Sequence, residues 1–207
     1  MKLRRCGPDA VLIEVGSLDQ VDAVRAALAA AADRGELPEL VELIPAARTV
    51  LAVVRSGSHG LAQLRAVLAT ADLSRPVRGN PREVRIPVRY DGPDLELVAR
   101  TARLSTDELV ELHSGTEYSV AFTGFAPGFG YLVGLPEPLV QARLDQPRTK
   151  VPPGSVGIAG EFTGVYPRAS PGGWRLIGRT ELALFDPRRE PPALLVPGDR
   201  VRFEVTA

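Results

Sequence analysis

Gly154-Ser-Val-Gly-Ile-Ala-Gly-Glu-Phe-Thr-Gly-Val-Tyr166 holds two short apolar runs, Gly154 to Ala159 and Thr163 to Tyr166, set between glycines. Short runs rich in Val, Ile, Thr and Tyr and bounded by glycine or proline are strand signals. The pattern spreads outward, because Tyr118 to Phe122, Trp174 to Thr180, Leu182 to Phe185 and Val201 to Val205 carry the same punctuation. Strands at this spacing predict an all-β barrel or sandwich beyond Tyr118. Two helices lead into it. Leu95 to Arg103 is the first. In the second, Ser105-Thr-Asp-Glu108 forms a capping box, and the helix runs to Ser114 and stops at Gly115.

The preceding part is alanine-rich with few glycines and prolines, and this shift in composition predicts two domains, 1–82 and 83–207. Ala10 to Val15 is an apolar run. Asp19 offers a cap for a helix to about Ala32, with Val21, Val24, Leu28 and Ala31 at helical spacing. Leu40 to Ile44 and Thr49 to Val54 read as a hairpin, and a second helix runs from about Leu61 to Ala69. Strand, helix, strand, strand, helix needs one more strand to complete a ferredoxin-like α+β domain. Glu83 to Tyr90 is a candidate, although Pro81, Pro87 and Pro93 suit it equally to an edge strand or a linker.

The whole chain has 207 residues, 25 basic and 25 acidic side chains and 44% apolar residues. This is globular composition with no general nucleic-acid footprint and no stretch that predicts a membrane span. Cys6 is the single cysteine, so an internal disulfide and a four-cysteine zinc site are both excluded. The basic start Met1-Lys-Leu-Arg-Arg5 is followed by Gly7, Pro8, Asp9 and Glu14, which interrupt the apolar stretch of a signal peptide. A cytoplasmic location is expected.

Common catalytic signatures are absent. No G-x-x-x-x-G-K-[ST] or G-x-S-x-G occurs, and Gly128, Gly130 and Gly134 miss the dinucleotide spacing. Only His59 and His113 are available as imidazoles. His113 falls in the last turn of the capped helix, where the dipole favours a protonated ring, and it reads either as a packing residue or as a substrate contact. Phe122-Thr-Gly-Phe-Ala-Pro-Gly-Phe-Gly-Tyr131 alternates aromatics with glycine and proline, which suits a pocket for a small ring and equally a sharp barrel corner. Pro147-Arg-Thr-Lys-Val-Pro-Pro-Gly154 places Arg148 and Lys150 ahead of Gly154, Gly157 and Gly160, cations and backbone amides that suit an anionic oxygen. Ser170-Pro-Gly-Gly-Trp-Arg-Leu-Ile-Gly-Arg-Thr180 adds Trp174, read as a core anchor, and Arg179.

Taken together with Thr163-Gly-Val-Tyr-Pro167, Leu184-Phe-Asp-Pro187 and Pro197-Gly-Asp-Arg-Val-Arg-Phe203, these motifs resemble the KipI and allophanate hydrolase subunit 1 family, which includes a subunit of the bacterial ATP-dependent 5-oxoprolinase. The resemblance implies a cyclophilin-like barrel after the α+β domain. It also implies ATP-driven opening of 5-oxo-L-proline to L-glutamate in a complex with a homologous barrel subunit and a third hydrolase subunit, with ATP and Mg²⁺ as cofactors. On this reading His113, Arg148, Lys150 and Arg179 act in catalysis, while Phe122, Phe125, Pro127, Gly128, Phe129, Tyr131, Gly157, Thr163 and Tyr166 contact the substrate. No metal ligand is assigned. Two other roles go with the same resemblance: inhibition of a sensor histidine kinase, and a place in an allophanate hydrolase or urea-amidolyase system. The sequence departs from the family pattern at Phe162, where Ala-x-Gln-Thr-Gly would carry glutamine.

Overall fold

The structure is a computed structural model and describes residues 1–73 and 81–206. It falls into two compact units, Met1–Gly79 and Asn80–Ala207.

In the first unit β1 (Lys2–Arg5), β2 (Ala10–Glu14), α1 (Leu18–Asp33), β3 (Leu40–Pro45), β4 (Thr49–Val54) and α2 (Gly60–Thr70) follow one another. The strands form an antiparallel sheet in the order β1-β2-β4-β3. Val11, Ile13, Val50 and Ala52 alternate onto one face and are buried with Val21, Val24 and Leu28 of α1 and Leu64 and Leu68 of α2. Ser17, not Asp19, caps α1: its hydroxyl accepts from the Gln20 N–H. The fourth strand of this sheet is also not the one expected. The edge beside β2 is taken by β1, while Glu83 to Tyr90 lies in the second unit.

That second unit contains β5 (Glu83–Val88), α3 (Leu95–Ala102), α4 (Thr106–Ser114), β6 (Glu117–Thr123), β7 (Gly130–Val133), a 3₁₀ turn (Glu137–Leu139), β8 (Arg148–Val151), β9 (Ser155–Ala159), β10 (Phe162–Val165), β11 (Ser170–Gly172), β12 (Arg175–Arg179) and β13 (Arg200–Val205). Seven strands form one sheet, β12-β9-β10-β7-β6-β13-β5, and β8 and β11 make a separate two-stranded ribbon. β5 is the edge strand and runs parallel to β13, so Pro87 is tolerated there. The two edges meet at a single bridge, where Arg89 and Arg179 exchange backbone hydrogen bonds of 2.9 Å each way, and the sheet becomes a nearly closed barrel. Its core includes Ile86, Val88, Tyr118, Leu132, Ile158, Ile177 and Phe203, with Val98 of α3 and Leu109 of α4 packed in.

Leu182 to Phe185 is not a strand. It makes one isolated bridge, Phe185 to Ala193, and its apolar character comes from Leu184, which plugs the core. The capping box is formed as expected, with the Ser105 hydroxyl accepting from the Glu108 N–H at 3.1 Å and the Glu108 carboxylate accepting from the Ser105 N–H at 2.7 Å.

Candidate functional site

The aromatic segment after Phe122 does gather in one place. Phe122 on β6 lies opposite Tyr131 on β7, and their rings stack with centroids 4.4 Å apart. Phe129 meets Tyr131, Tyr166 and Trp174 edge to face at 5.0, 5.4 and 5.3 Å. The glycines beneath serve this cluster as well as the turns. A Cβ on Gly157 would lie 3.2 Å from the Trp174 Cβ, and one on Gly164 would lie 3.3 Å from its ring and 3.4 Å from that of Phe129. Bare backbone on β9 and β10 thus lets large rings approach the sheet closely.

From this cluster the loop of residues 124–129 turns outward. Phe125 adopts φ +64°, a left-handed conformation that is strained for a bulky residue, and its side chain is 57% exposed. Gly128 has φ +83° and no room for a side chain, since a Cβ would come within 2.8 Å of Phe185. Phe125, Pro127 and Gly128 form one wall of a surface cleft of about 460 Å³, and Leu195, Val196 and Pro197 form the other. No charged side chain lines it.

His113 sits elsewhere, in the barrel core. It is wholly buried and stacked on Phe203 at 4.6 Å. Thr163 Oγ1 donates to the Gly157 carbonyl at 3.1 Å and so accepts from His113 Nε2–H at 3.0 Å, while the Tyr90 hydroxyl donates to Nδ1 at 2.7 Å. This arrangement suits a neutral imidazole protonated on Nε2. Burial pushes the His113 pKa down to about 3, so desolvation overrides the dipole effect expected from its helix position. His113, Thr163 and Gly157 are thus joined by hydrogen bonds inside the barrel wall.

This arrangement predicts a pH dependence. The unfolded chain takes a proton on His113 below about pH 6.5, and the folded chain does not do so until about pH 3. The stability it contributes is complete above pH 6.5 and falls as the pH drops, by about 1.4 kcal/mol per pH unit. Chemical denaturation at two pH values should show wild type losing about 2 kcal/mol more than His113→Gln between pH 6.5 and pH 5. Equal losses would contradict the buried neutral ring.

The three cations differ in how their charge is used. Arg148 grips Asp94 with one nitrogen, 2.7 and 2.8 Å from the two carboxylate oxygens, and donates to the Trp174 carbonyl at 3.3 Å. Arg179 is exposed and pairs with Asp91 at 2.9 Å, beside Arg89, which reaches the same oxygen at 3.0 Å. Lys150 is exposed and has no ion pair or hydrogen bond among the described residues. No such contact joins any two of His113, Arg148, Lys150 and Arg179.

Over residues 1–195 the sequence matches the family described as carboxyltransferase domain, subdomain C and D. The chain belongs to this family. It is similar to the B-type subunit of 5-oxoprolinase from Escherichia coli O157:H7, 48% identical over 164 residues that cover 77% of this chain and 75% of that protein. To the Bacillus subtilis protein of the same name it is 49% identical over 136 residues, 64% of this chain and 57% of the relative. Among solved structures, TTHA0988 superposes with a TM-score of 0.81 at 36% identity over all of this chain, which spans 40% of that longer one. The Kluyveromyces lactis urea carboxylase gives a TM-score of 0.73 at 20% identity over 99% of this chain and 22% of its own, a likeness of fold alone.

Within this subdomain C and D fold, Phe162 is a packing residue: its ring meets those of Phe122 and Tyr131 edge to face, both at 5.6 Å. It is partly exposed, so Phe162→Gln should lower stability by about 1–2 kcal/mol, the value of two aromatic contacts without a full core burial, read as a modest fall in Tm. A Tm unchanged or raised by the substitution would contradict this packing role.

Asp91 and Asp94, the partners of Arg179 and Arg148, are residues that type alone does not single out. Their positions in Asp91-Gly-Pro-Asp94 carry only a turn signal, and their partners lie far along the chain. Asp94 precedes α3 but does not cap it. Its carboxylate is drawn instead to Arg148 and to the Leu176 N–H at 2.7 Å.

Proposed function

We propose that the chain is the B-type subunit of an ATP-dependent 5-oxoprolinase and acts with partner subunits to open 5-oxo-L-proline to L-glutamate. The observation that carries this reading is the 48% identity to the Escherichia coli 5-oxoprolinase subunit over three quarters of both chains. The nearly closed barrel supports the cyclophilin-like assignment of the second unit. No helix among the described residues is long and apolar enough to cross a membrane. A cytoplasmic enzyme is the setting in which the single exposed thiol of Cys6 remains free.

The reaction consumes the lactam, water and ATP and yields glutamate, ADP and phosphate. Its barrier is amide resonance, which makes the ring carbonyl a poor electrophile, and catalysis of this kind rests on positioning and neutralisation of charge. No three metal-ligating side chains converge among the described residues, and Asp91 and Asp94 are bound to arginines. In this proposal ATP and Mg²⁺ are held chiefly by other subunits. The subunit contributes Lys150 as a free cation for the substrate carboxylate or a phosphate, and the apolar cleft beside Phe125 as a wall that excludes water.

In a reconstituted complex Lys150→Ala should reduce kcat/KM for 5-oxoproline by at least about tenfold while leaving assembly and Tm unchanged, since its exposed side chain supports no other group. Full activity of the Lys150→Ala complex would remove Lys150 from the site.

A further inference from the structure

The face of the first sheet that points away from its helices carries a pattern that the oxoprolinase reading does not use. Three rows of side chains cross it. Lys2, Glu14 and Thr49 align in the first row, Arg4, Leu12, Leu51 and Ile44 in the second, and Ala10, Val53 and Glu42 in the third. The centre is therefore apolar although none of it is buried: Leu12, Leu51 and Val53 are half-exposed and Ile44 is 39% exposed. Arg4 and Glu14 neutralise each other at 2.6 Å. Lys2 and Glu42 are both exposed with no ion pair among the described residues, and they stand at diagonally opposite corners of the grid.

We infer that this face binds a second copy of the chain, sheet against sheet, about a two-fold axis that places Lys2 of each copy over Glu42 of the other. Rotation about an axis in the plane of the face and perpendicular to the Lys2–Glu42 diagonal brings each free cation onto a free carboxylate twice over. It also lays Leu12 and Leu51 on their counterparts and sets Val53 of each copy over the aliphatic stem of Arg4 of the other. The strands of the two copies then cross at a near right angle, one of the two preferred arrangements for stacked sheets, at a separation of roughly 10 Å that lysine and glutamate side chains span together. The same patch meets itself, as an isologous contact requires. A patch of four strands by three rows is smaller than the roughly 800 Å² per partner of a standard interface, so the association is weak and concentration-dependent.

Sedimentation velocity and light scattering of the full chain over a concentration series test this. Wild type should pass from monomer to dimer below about 100 μM. Leu51→Arg should remain monomeric with an unchanged Tm, since Leu51 is half-exposed and lies outside the helix-facing core. Lys2→Glu and Glu42→Lys should each weaken dimerisation by at least about tenfold, and the double exchange Lys2→Glu/Glu42→Lys should restore it to within about threefold. Within one chain the two positions are roughly 20 Å apart across the sheet, so rescue can come only from contact between copies. A wild-type chain that stays monomeric throughout, a Leu51→Arg chain that still dimerises, or a double exchange no better than the single ones would each overturn the inference.

Discussion

Asp94→Ala is expected to destabilise the second unit by about 3 kcal/mol. The carboxylate is buried, with the residue 6% exposed, and it accepts from Arg148 and from the Leu176 N–H of β12. Removing it leaves a partly buried guanidinium and a buried N–H without their acceptor, and loss of one partner of a buried pair costs about 3–5 kcal/mol. The lower end applies because the Arg148 side chain is 26% exposed and water screens some of its charge. Asp94→Ala/Arg148→Ala should recover part of the loss, and urea titration of the four proteins in the cycle measures how much. An Asp94→Ala chain as stable as wild type would mean that the bond between the start of α3 and β12 holds nothing together.

Gly154→Ala should be worse still, at about 4 kcal/mol or more, enough to prevent accumulation of folded protein. Gly154 has φ +77°, and an added Cβ would overlap the Thr180 carbonyl oxygen. The N–H of Gly154 donates to the Tyr166 carbonyl at 2.7 Å and its carbonyl accepts from the Thr180 N–H at 2.9 Å, so the backbone is pinned on both sides and cannot swing clear. Gly160 is the control. It also has positive φ, +58°, but nothing lies within 4 Å of its missing Cβ, and Gly160→Ala should cost only about 1 kcal/mol of backbone strain. Thermal melts of the two variants separate steric exclusion from conformational preference. Equal melting temperatures would contradict the packing at Gly154.

The sequence disclosed what depends on neighbours along the chain. Ser105 and Glu108 satisfy each other three residues apart, so their helix was legible, as were the apolar runs that became β6, β9, β10, β12 and β13. It was less informative where partners are distant. β1 consists of exposed, mostly basic residues with no alternation, and only pairing with β2 makes it a strand. β8 and β11 are short and pair only with each other, with no apolar signal of their own.

For the candidate site the difficulty was of another kind. Residue type did show that aromatics are concentrated here, and those from Phe122 to Trp174 form one cluster. Type could not show that His113 faces inward or that Arg148 is bound by a carboxylate 54 positions away, because burial and pairing are properties of the closed barrel. Phe125 is a further case: its segment reads equally as a pocket or a barrel corner, and only the structure shows the left-handed backbone and the exposed ring.

The central claim is that this chain is a necessary but incomplete part of a 5-oxoprolinase. The measurement that tests it most directly is release of glutamate from 5-oxoproline by the purified multi-subunit complex, by the complex prepared without this chain, and by this chain alone, each with and without ATP. The account predicts ATP-dependent glutamate only from the complete complex, and recovery when the chain is added back to the depleted one. Undiminished turnover by the depleted complex, or substantial turnover by this chain alone, would contradict it.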